Sequence, residues 1–305
     1  MKVLIATEKP FAAAAIAQMR NVLEEAGFEV ALLEKYQDKK DLLAAVKDVD
    51  AIIVRSDIVD EEVIEAAPDL KLVVRAGAGY DNIDLKAATH KNVVVMNTPG
   101  QNANAVAELV FGMLVLMARN HYDGSVGTEL QGKTLGLHAY GNVSRNVARI
   151  AKGFGMHVLA YDPFLSAEQI AAEGVEPVNT IEDLYKRSQY VSLHIPATPE
   201  TVHSINYNLL SLMPKGATLI NTARKEIINE PDIEKLMKER PDFVYISDIM
   251  PGNASVLSES FADRVFFTPK KMGAQTKEAN VNAGIAAAHQ SANYLKSGID
   301  RFRVN

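Results

Sequence analysis

Hydrophobic positions along the chain fall into short Val/Ile/Leu-rich runs, separated by longer stretches in which apolar residues recur with helical spacing. This alternation predicts parallel α/β architecture, because parallel strands are buried on both faces and need helical crossovers. In the first third, strands are expected at Val3–Ala6, Val30–Leu33, Ala51–Val54, Leu72–Val74 and Val93–Met96, with helices such as Ala12–Glu25 and Asp41–Lys47 between them. A helix over Asn104–Arg119, after Thr98-Pro99-Gly100, is apolar on most of its surface. It must be covered on more than one side, between domains or in a dimer interface. A second strand series is expected at Thr134–Ala139, His157–Tyr161, Tyr190–His194, Thr218–Asn221, Phe243–Ser247 and Val265–Thr268. Two such series predict two doubly wound parallel-sheet domains. The last helix, Ala274–Leu295, is expected to cross back onto the first domain.

Composition narrows the chemistry. The 305 residues exceed what one core usually serves. With 48% hydrophobic and 23% charged residues the balance is that of an ordinary globular protein. A net charge of −6 argues against nucleic acid as partner, so an anionic substrate would need locally concentrated cations. Absence of cysteine removes disulfides, thiolate nucleophiles and thiolate metal sites. The seven histidines show no metal-ligand spacing, and no metal is expected. The N-terminus MKVLIATEKPF lacks the features of a signal peptide, and the apolar stretch Leu109–Ala118 is too short to span a bilayer. A cytoplasmic protein without membrane partner is expected.

Between the strand starting at Thr134 and a helix over Val143–Phe154 lies the turn Ala139-Tyr140-Gly141-Asn142-Val143-Ser144. A turn that binds pyrophosphate needs glycine where backbone meets phosphate and helix N–H groups aimed at the charge. Gly141 supplies the central glycine of a G-x-G-x-x-G pattern, but Ala139 and Ser144 replace its neighbours. Ala139 is expected at negative φ, because a side chain disfavours the alternative. Asp162 ends the next strand, about 20 residues on, where a carboxylate accepts both ribose hydroxyls and repels a 2′-phosphate. NAD is therefore the expected cofactor. An ordinary strand–turn–helix remains the competing reading of the turn alone.

Longer motifs add to this. The segments Val74–Asp84 (VRAGAGYDNID), Met96-Asn97-Thr98-Pro99, Val106-Ala107-Glu108, Asp162-Pro163, His194-Ile195-Pro196, Ile220–Arg224 and Gly273–Ala279 resemble, in order, those of the D-isomer-specific 2-hydroxy acid dehydrogenases. Within that family the chain is most similar to the short D-3-phosphoglycerate dehydrogenases. The resemblance implies a flavodoxin-like substrate domain from both chain ends, 1–97 and 276–305, into which a Rossmann-type NAD domain of 98–275 is inserted. It also implies a cleft between the domains and a homodimer held by the NAD domains. Cofactor contacts would extend from Tyr140, Gly141, Asn142, Val143 and Asp162 to His194, Pro196, Thr222, Ala223 and Asp248. The implied reaction is oxidation of D-3-phosphoglycerate to 3-phosphohydroxypyruvate, which opens serine biosynthesis.

Hydride transfer from a 2-hydroxy acid needs a carboxylate anchor, a charge stabiliser at the reacting oxygen and an acid/base. The Gly77-Ala78-Gly79 turn can present N–H groups to the carboxylate, or serve only to reverse the chain. Arg224, after a buried strand, matches the family arginine that holds carboxyl and carbonyl oxygens; the bland alternative is a surface ion pair. The family's acid/base histidine, in Pro-His-x-Gly, and its supporting glutamate are both missing. Here the segment reads Thr268-Pro269-Lys270-Lys271-Met272-Gly273, and after Ser247-Asp248 comes Ile249-Met250-Pro251-Gly252-Asn253. Anchoring on Pro269 selects Lys270; the longer anchor Gly273-Ala274-Gln275-Thr276 selects Lys271, which is favoured. The two losses belong together: a lysine needs no glutamate to stay protonated, but needs a cation such as Arg224, or burial, to approach working pH. A solvated loop is the alternative for this pair. Arg55 with Ser56, and Arg75, resemble residues at the substrate's distal end, where an arginine fork suits phosphate; Lys9 is a further candidate. A reductase of glyoxylate or hydroxypyruvate, and a non-catalytic NAD-responsive binding protein, stay open as other functions.

Overall fold

The computed structural model describes residues 1–305. Contacts divide the chain into two compact units, 1–102 with 276–305, and 103–275. Segment 98–102 stays with the first unit, where the Thr98 N–H donates to Gly77 O at 2.9 Å.

In the first unit, β1 (Lys2–Thr7), β2 (Glu29–Glu34), β3 (Ala51–Val54), β4 (Leu72–Arg75) and β5 (Val94–Asn97) form one sheet. They alternate with α1 (Ala13–Glu25), α2 (Lys39–Ala45), α3 (Glu61–Glu65) and α4 (Leu85–His90). The order is β2-β1-β3-β4-β5, all parallel. It reverses between β1 and β3, so loops after Thr7 and Val54 diverge and leave a crevice at the carboxyl edge. Asp38, Asp60 and Asp84 cap α2, α3 and α4 through their carboxylates. The long C-terminal helix (Lys277–Ser297, α12 once the intervening helices are counted) lies on α1 and the sheet. Alanines 283, 287, 288 and 292 make its buried face. At Gly284 even one added carbon would sit 2.8 Å from Met19 Sδ and 3.2 Å from Phe11 Cε1, so the contact needs hydrogen there. This is the crossing back that the sequence predicts.

The second unit opens with α5 (Ala103–Ala118) and continues through β6 (Thr134–His138), α6 (Asn142–Gly153), β7 (His157–Tyr161), α7 (Ala167–Ala171), β8 (Glu176–Pro177), α8 (Ile181–Arg187) and β9 (Tyr190–Leu193). It closes with α9 (Tyr207–Leu210), β10 (Thr218–Asn221), α10 (Glu230–Glu239), β11 (Val244–Ser247), α11 (Ala254–Ser260) and β12 (Val265–Phe267). The sheet order is β12-β11-β10-β9-β6-β7-β8, all parallel. Numbered within the unit this is the doubly wound 3-2-1-4-5-6 order with one more strand, and it reverses between β6 and β9. Observed strands fall within a residue or so of those expected, except β8, whose two residues include a proline and gave no periodic signal. Helix α5 buries Val106, Ala107, Val110, Phe111, Met113 and Leu114, while Leu109, Val115, Leu116 and Met117 stay half-buried. No helix is long and apolar enough to cross a membrane.

Candidate active site

The reversal of sheet order in the second unit puts the β6–α6 turn where α/β folds bind nucleotides. Ala139 adopts φ +75, against the negative value expected from its side chain. The surroundings over-determine the turn: the Ala139 N–H donates to Tyr161 O at 2.9 Å, and its carbonyl accepts the buried Ser144 hydroxyl at 2.6 Å. Left-handed backbone at a non-glycine residue costs about 1 kcal/mol or more. Ser144 is thus a clasp on the turn, in the place of a packing glycine.

Gly141 begins α6 without a side-chain cap, and a carbon added to it would meet nothing within 4 Å. The N–H groups of Asn142, Val143 and Ser144 open that helix, and Asn142 is exposed. Tyr140 faces the other way: its ring is buried, its hydroxyl donates to Glu173, and only its backbone belongs to the turn. Asp162 ends β7 with Oδ2 accepting the Tyr140 N–H and Oδ1 the Phe164 N–H, both at 2.8 Å. An uncapped helix start, open space before Gly141 and an anchored carboxylate fit an adenosine diphosphate moiety. The other half has its own open valences. Thr222 Oγ1 and His194 Nε2 are shut from solvent without a partner in the protein, and Pro196, two residues after His194, is exposed. The residues present therefore fit NAD.

His194 also lies against His138, whose Nδ1 is 3.2 Å from the buried Tyr185 hydroxyl. Burial lowers the His138 pKa to about 4. Burial and the neighbouring His138 lower that of His194 to about 3. Both rings are neutral near pH 7.

At the end of β10, Asn221 is fully buried, and its side chain brackets the following turn. Oδ1 accepts the Ala223 N–H and Nδ2 donates to Arg224 O, each at 2.9 Å. This bracket fixes where the next two residues point. Ala223 O then accepts from two cations: Arg224 Nη1 at 2.9 Å and Lys271 Nζ at 2.9 Å. Lys271 is the member of the lysine pair that reaches Ala223. Both lysines are exposed, and the Lys270 carbonyl accepts the Thr268 hydroxyl at 2.7 Å.

Asp248 backs this pair from β11. It is fully buried; Oδ2 accepts the Gly273 N–H at 2.7 Å while Oδ1 has no partner. Burial pushes its carboxyl above the ordinary carboxylate range, opposed by that N–H and by the charges of Lys271 and Arg224. Gly273 is needed here, since an added carbon would lie 2.8 Å from Asp248 Oδ2. Where the sequence lacks a glutamate after Asp248, Glu230 Oε1 instead accepts the Gly252 N–H at 2.6 Å and holds the 251–253 turn. Asn221 and Glu230 escaped the sequence reading, although asparagine at a strand end is a known turn signal.

The first unit holds the remaining candidates at its own carboxyl edge. Arg55 donates to Lys9 O (3.1 Å), Pro10 O (3.3 Å) and Asn280 Oδ1 (2.6 Å). Ser56 is exposed, and the Lys9 side chain lies at the surface. Arg75 donates from Nε to Arg55 O at 2.9 Å, and its guanidinium crosses the face of Gly77, where an added carbon would overlap Nη1 at 1.4 Å. Gly77 sits at φ +150 and donates its own N–H to Arg75 O, so the donors left in the turn are those of Ala78 and Gly79. Buried Asp57 ties these loops together, with Oδ1 accepting the Tyr36 hydroxyl and Glu8 N–H, and Oδ2 the Arg55 N–H.

Residues 88–270 match the family model described as "D-isomer specific 2-hydroxyacid dehydrogenase, NAD binding domain". The chain belongs to this family. Its NAD-binding domain is the stretch in which the β6–α6 turn, Asp162 and Arg224 lie. The chain is 36% identical over 285 residues to D-3-phosphoglycerate dehydrogenase of Methanocaldococcus jannaschii, covering 88% of this chain and 54% of that one. Hydroxypyruvate reductase of Thermotoga maritima is 34% identical, with 84% of this chain and 88% of that one covered. Among solved structures, NAD+-bound 3-phosphoglycerate dehydrogenase of Entamoeba histolytica superposes with TM-score 0.88 at 46% identity, over 100% of this chain and 98% of that one. The chain spans about half the length of most of the curated relatives it matches.

Proposed function

We propose that the protein oxidises D-3-phosphoglycerate to 3-phosphohydroxypyruvate with NAD, 103–275 binding the nucleotide and 1–102 with 276–305 binding the substrate. The observation that carries the chemistry is the convergence of Arg224 and Lys271 on one carbonyl, each at 2.9 Å. A guanidinium cannot give up its proton, so Arg224 is suited to hold the substrate carboxylate and the charge on the reacting oxygen. Lys271 Nζ, in its amine form, takes the hydroxyl proton during oxidation and returns it during reduction. Bound NAD supplies the acceptor for the hydride leaving C2. Asp162 would hold the adenosine ribose, the α6 N-terminus the pyrophosphate, and His194, Pro196, Thr222, Ala223 and Asp248 the nicotinamide half.

A phosphorylated substrate is supported by Arg55 and Arg75 in the first unit, and by relatives named as phosphoglycerate dehydrogenases. The relative named hydroxypyruvate reductase favours a second reading, an unphosphorylated 2-keto acid. A homodimer through the second unit is supported by the half-buried apolar side chains Leu109, Val115, Leu116 and Met117 of α5.

NADH oxidation with a panel of 2-keto acids tests the reading. It predicts a kcat/KM for 3-phosphohydroxypyruvate well above those for hydroxypyruvate and glyoxylate. Equal or inverted preference favours the second reading. Tight NAD binding without turnover of any of them would make the protein a nucleotide-responsive binder.

A further inference from the structure

Arg55 is half-buried, yet its three side-chain hydrogen bonds all go to neutral oxygens. Asp57, whose charge it feels, uses its carboxylate on the Arg55 backbone N–H and on Tyr36 and Glu8. No carboxylate bonds the guanidinium directly, and Nε and one Nη2 proton have no acceptor in the protein. Two segments far apart in sequence, residues 9–11 and the first turn of α12, set its position. Below it lies the Phe11 ring, 5.2 Å from Cζ. On one side are the carbonyls of Lys9 and Pro10, the former also accepting the Thr7 hydroxyl at 2.6 Å. On the other is Asn280 Oδ1, itself fixed because Asn280 Nδ2 donates to Thr276 O at 2.8 Å in the first turn of α12. Phe11 in turn packs against Gly284 of the same helix.

We propose that Asn280 is a positioning residue which, through its bond to Arg55, sets this guanidinium for the distal anionic group of the substrate and so determines preference for a phosphorylated 2-hydroxy acid. The proposal rests on the functional reading above. An arginine held in one rotamer loses little freedom when an oxyanion arrives; an arginine free to swing loses several torsions. Asn280 supplies an amide oxygen, which orients the fork without cancelling its charge, as a carboxylate would.

The test is steady-state reduction of 3-phosphohydroxypyruvate and of hydroxypyruvate by wild type, Asn280→Ala and Asn280→Gln. Alanine suits a helix at least as well as asparagine, so folding is not at stake. Asn280→Ala is expected to raise KM for the phosphorylated acid about tenfold, with kcat within about twofold. For hydroxypyruvate the KM should move less than about threefold, and Asn280→Gln should recover part of the loss. A phosphate preference that survives Asn280→Ala unchanged, or a KM raised equally for both acids, overturns the proposal and leaves the functional reading standing. A wild type that does not prefer the phosphorylated acid overturns the functional reading first, and this proposal with it.

Discussion

At the carboxyl edge of the first sheet, one arginine is cradled by an aromatic ring and neutral oxygens, with donors left over. At that of the second, two cations of different kinds meet at a single carbonyl in front of a buried carboxylate. The first arrangement suits recognition, since a guanidinium keeps its charge at any working pH and only its direction needs setting. The second suits chemistry, since one of its cations can exchange a proton while the other holds. The same fold principle, a crevice where strand order reverses, thus carries two electrostatic designs.

The largest way to break this contrast is Lys271→Met. It should lower kcat by about a thousandfold while NADH still binds, as followed by nucleotide fluorescence; turnover near the wild-type rate would remove the acid/base role. Arg55→Ala should instead act on KM, raising it about a hundredfold for the phosphorylated acid and only a few-fold for hydroxypyruvate. If kcat fell and KM did not, the division between recognition and chemistry would be wrong.

The histidine pair sharpens the comparison through pH. Folding holds His138 and His194 neutral, with pKa values of about 4 and about 3. The unfolded chain takes up their protons near pH 6.5. Stability is therefore whole above pH 6.5 and declines as pH falls toward 4, by about 1.4 kcal/mol per pH unit for each histidine. Denaturant unfolding between pH 7 and 5 should show this slope for the second unit, and His194→Asn should flatten it; a pH-independent midpoint would contradict the buried pair. Smaller still, Gly273→Ala should cost about 1–3 kcal/mol as its carbon displaces Asp248 or Val106, lowering the thermal midpoint. At the bottom of the scale, Ala139→Gly relieves the left-handed strain and should stabilise by up to about 1 kcal/mol, partly offset by the freer unfolded chain. A lower thermal midpoint in that variant would show that the methyl packs usefully.

Much of the architecture is legible in the apolar pattern of the chain. Parallel strands buried on both faces are continuous apolar runs, and such runs mark all strands except β8. Lys271 is selected by its spacing to Gly273; that its amine donates to Ala223 O is a separate observation that spacing does not contain. What could not be read depends on distant partners. Ala139 takes a conformation its own chemistry opposes, because Tyr161 and Ser144 hold its backbone. The bond from Arg55 to Asn280 joins positions 225 apart in the sequence. Nothing in either segment's periodicity announces that bond; only the return of the last helix makes it. In the sequence Gly77 reads as part of a turn that presents N–H groups or reverses the chain, whereas the space above it is taken by the Arg75 guanidinium.

That returning helix has a consequence for biogenesis. On the ribosome, the first 102 residues emerge with Val3, Ile5, Met19 and their neighbours lacking the alanine surface that later covers them. The 173 residues of the second unit must be made before that cover arrives. At translation speeds of about 5–20 residues per second, the gap lasts on the order of ten seconds or more. For that interval the nascent chain carries a greasy, half-built layer, and molecular chaperones are the agents suited to shield it.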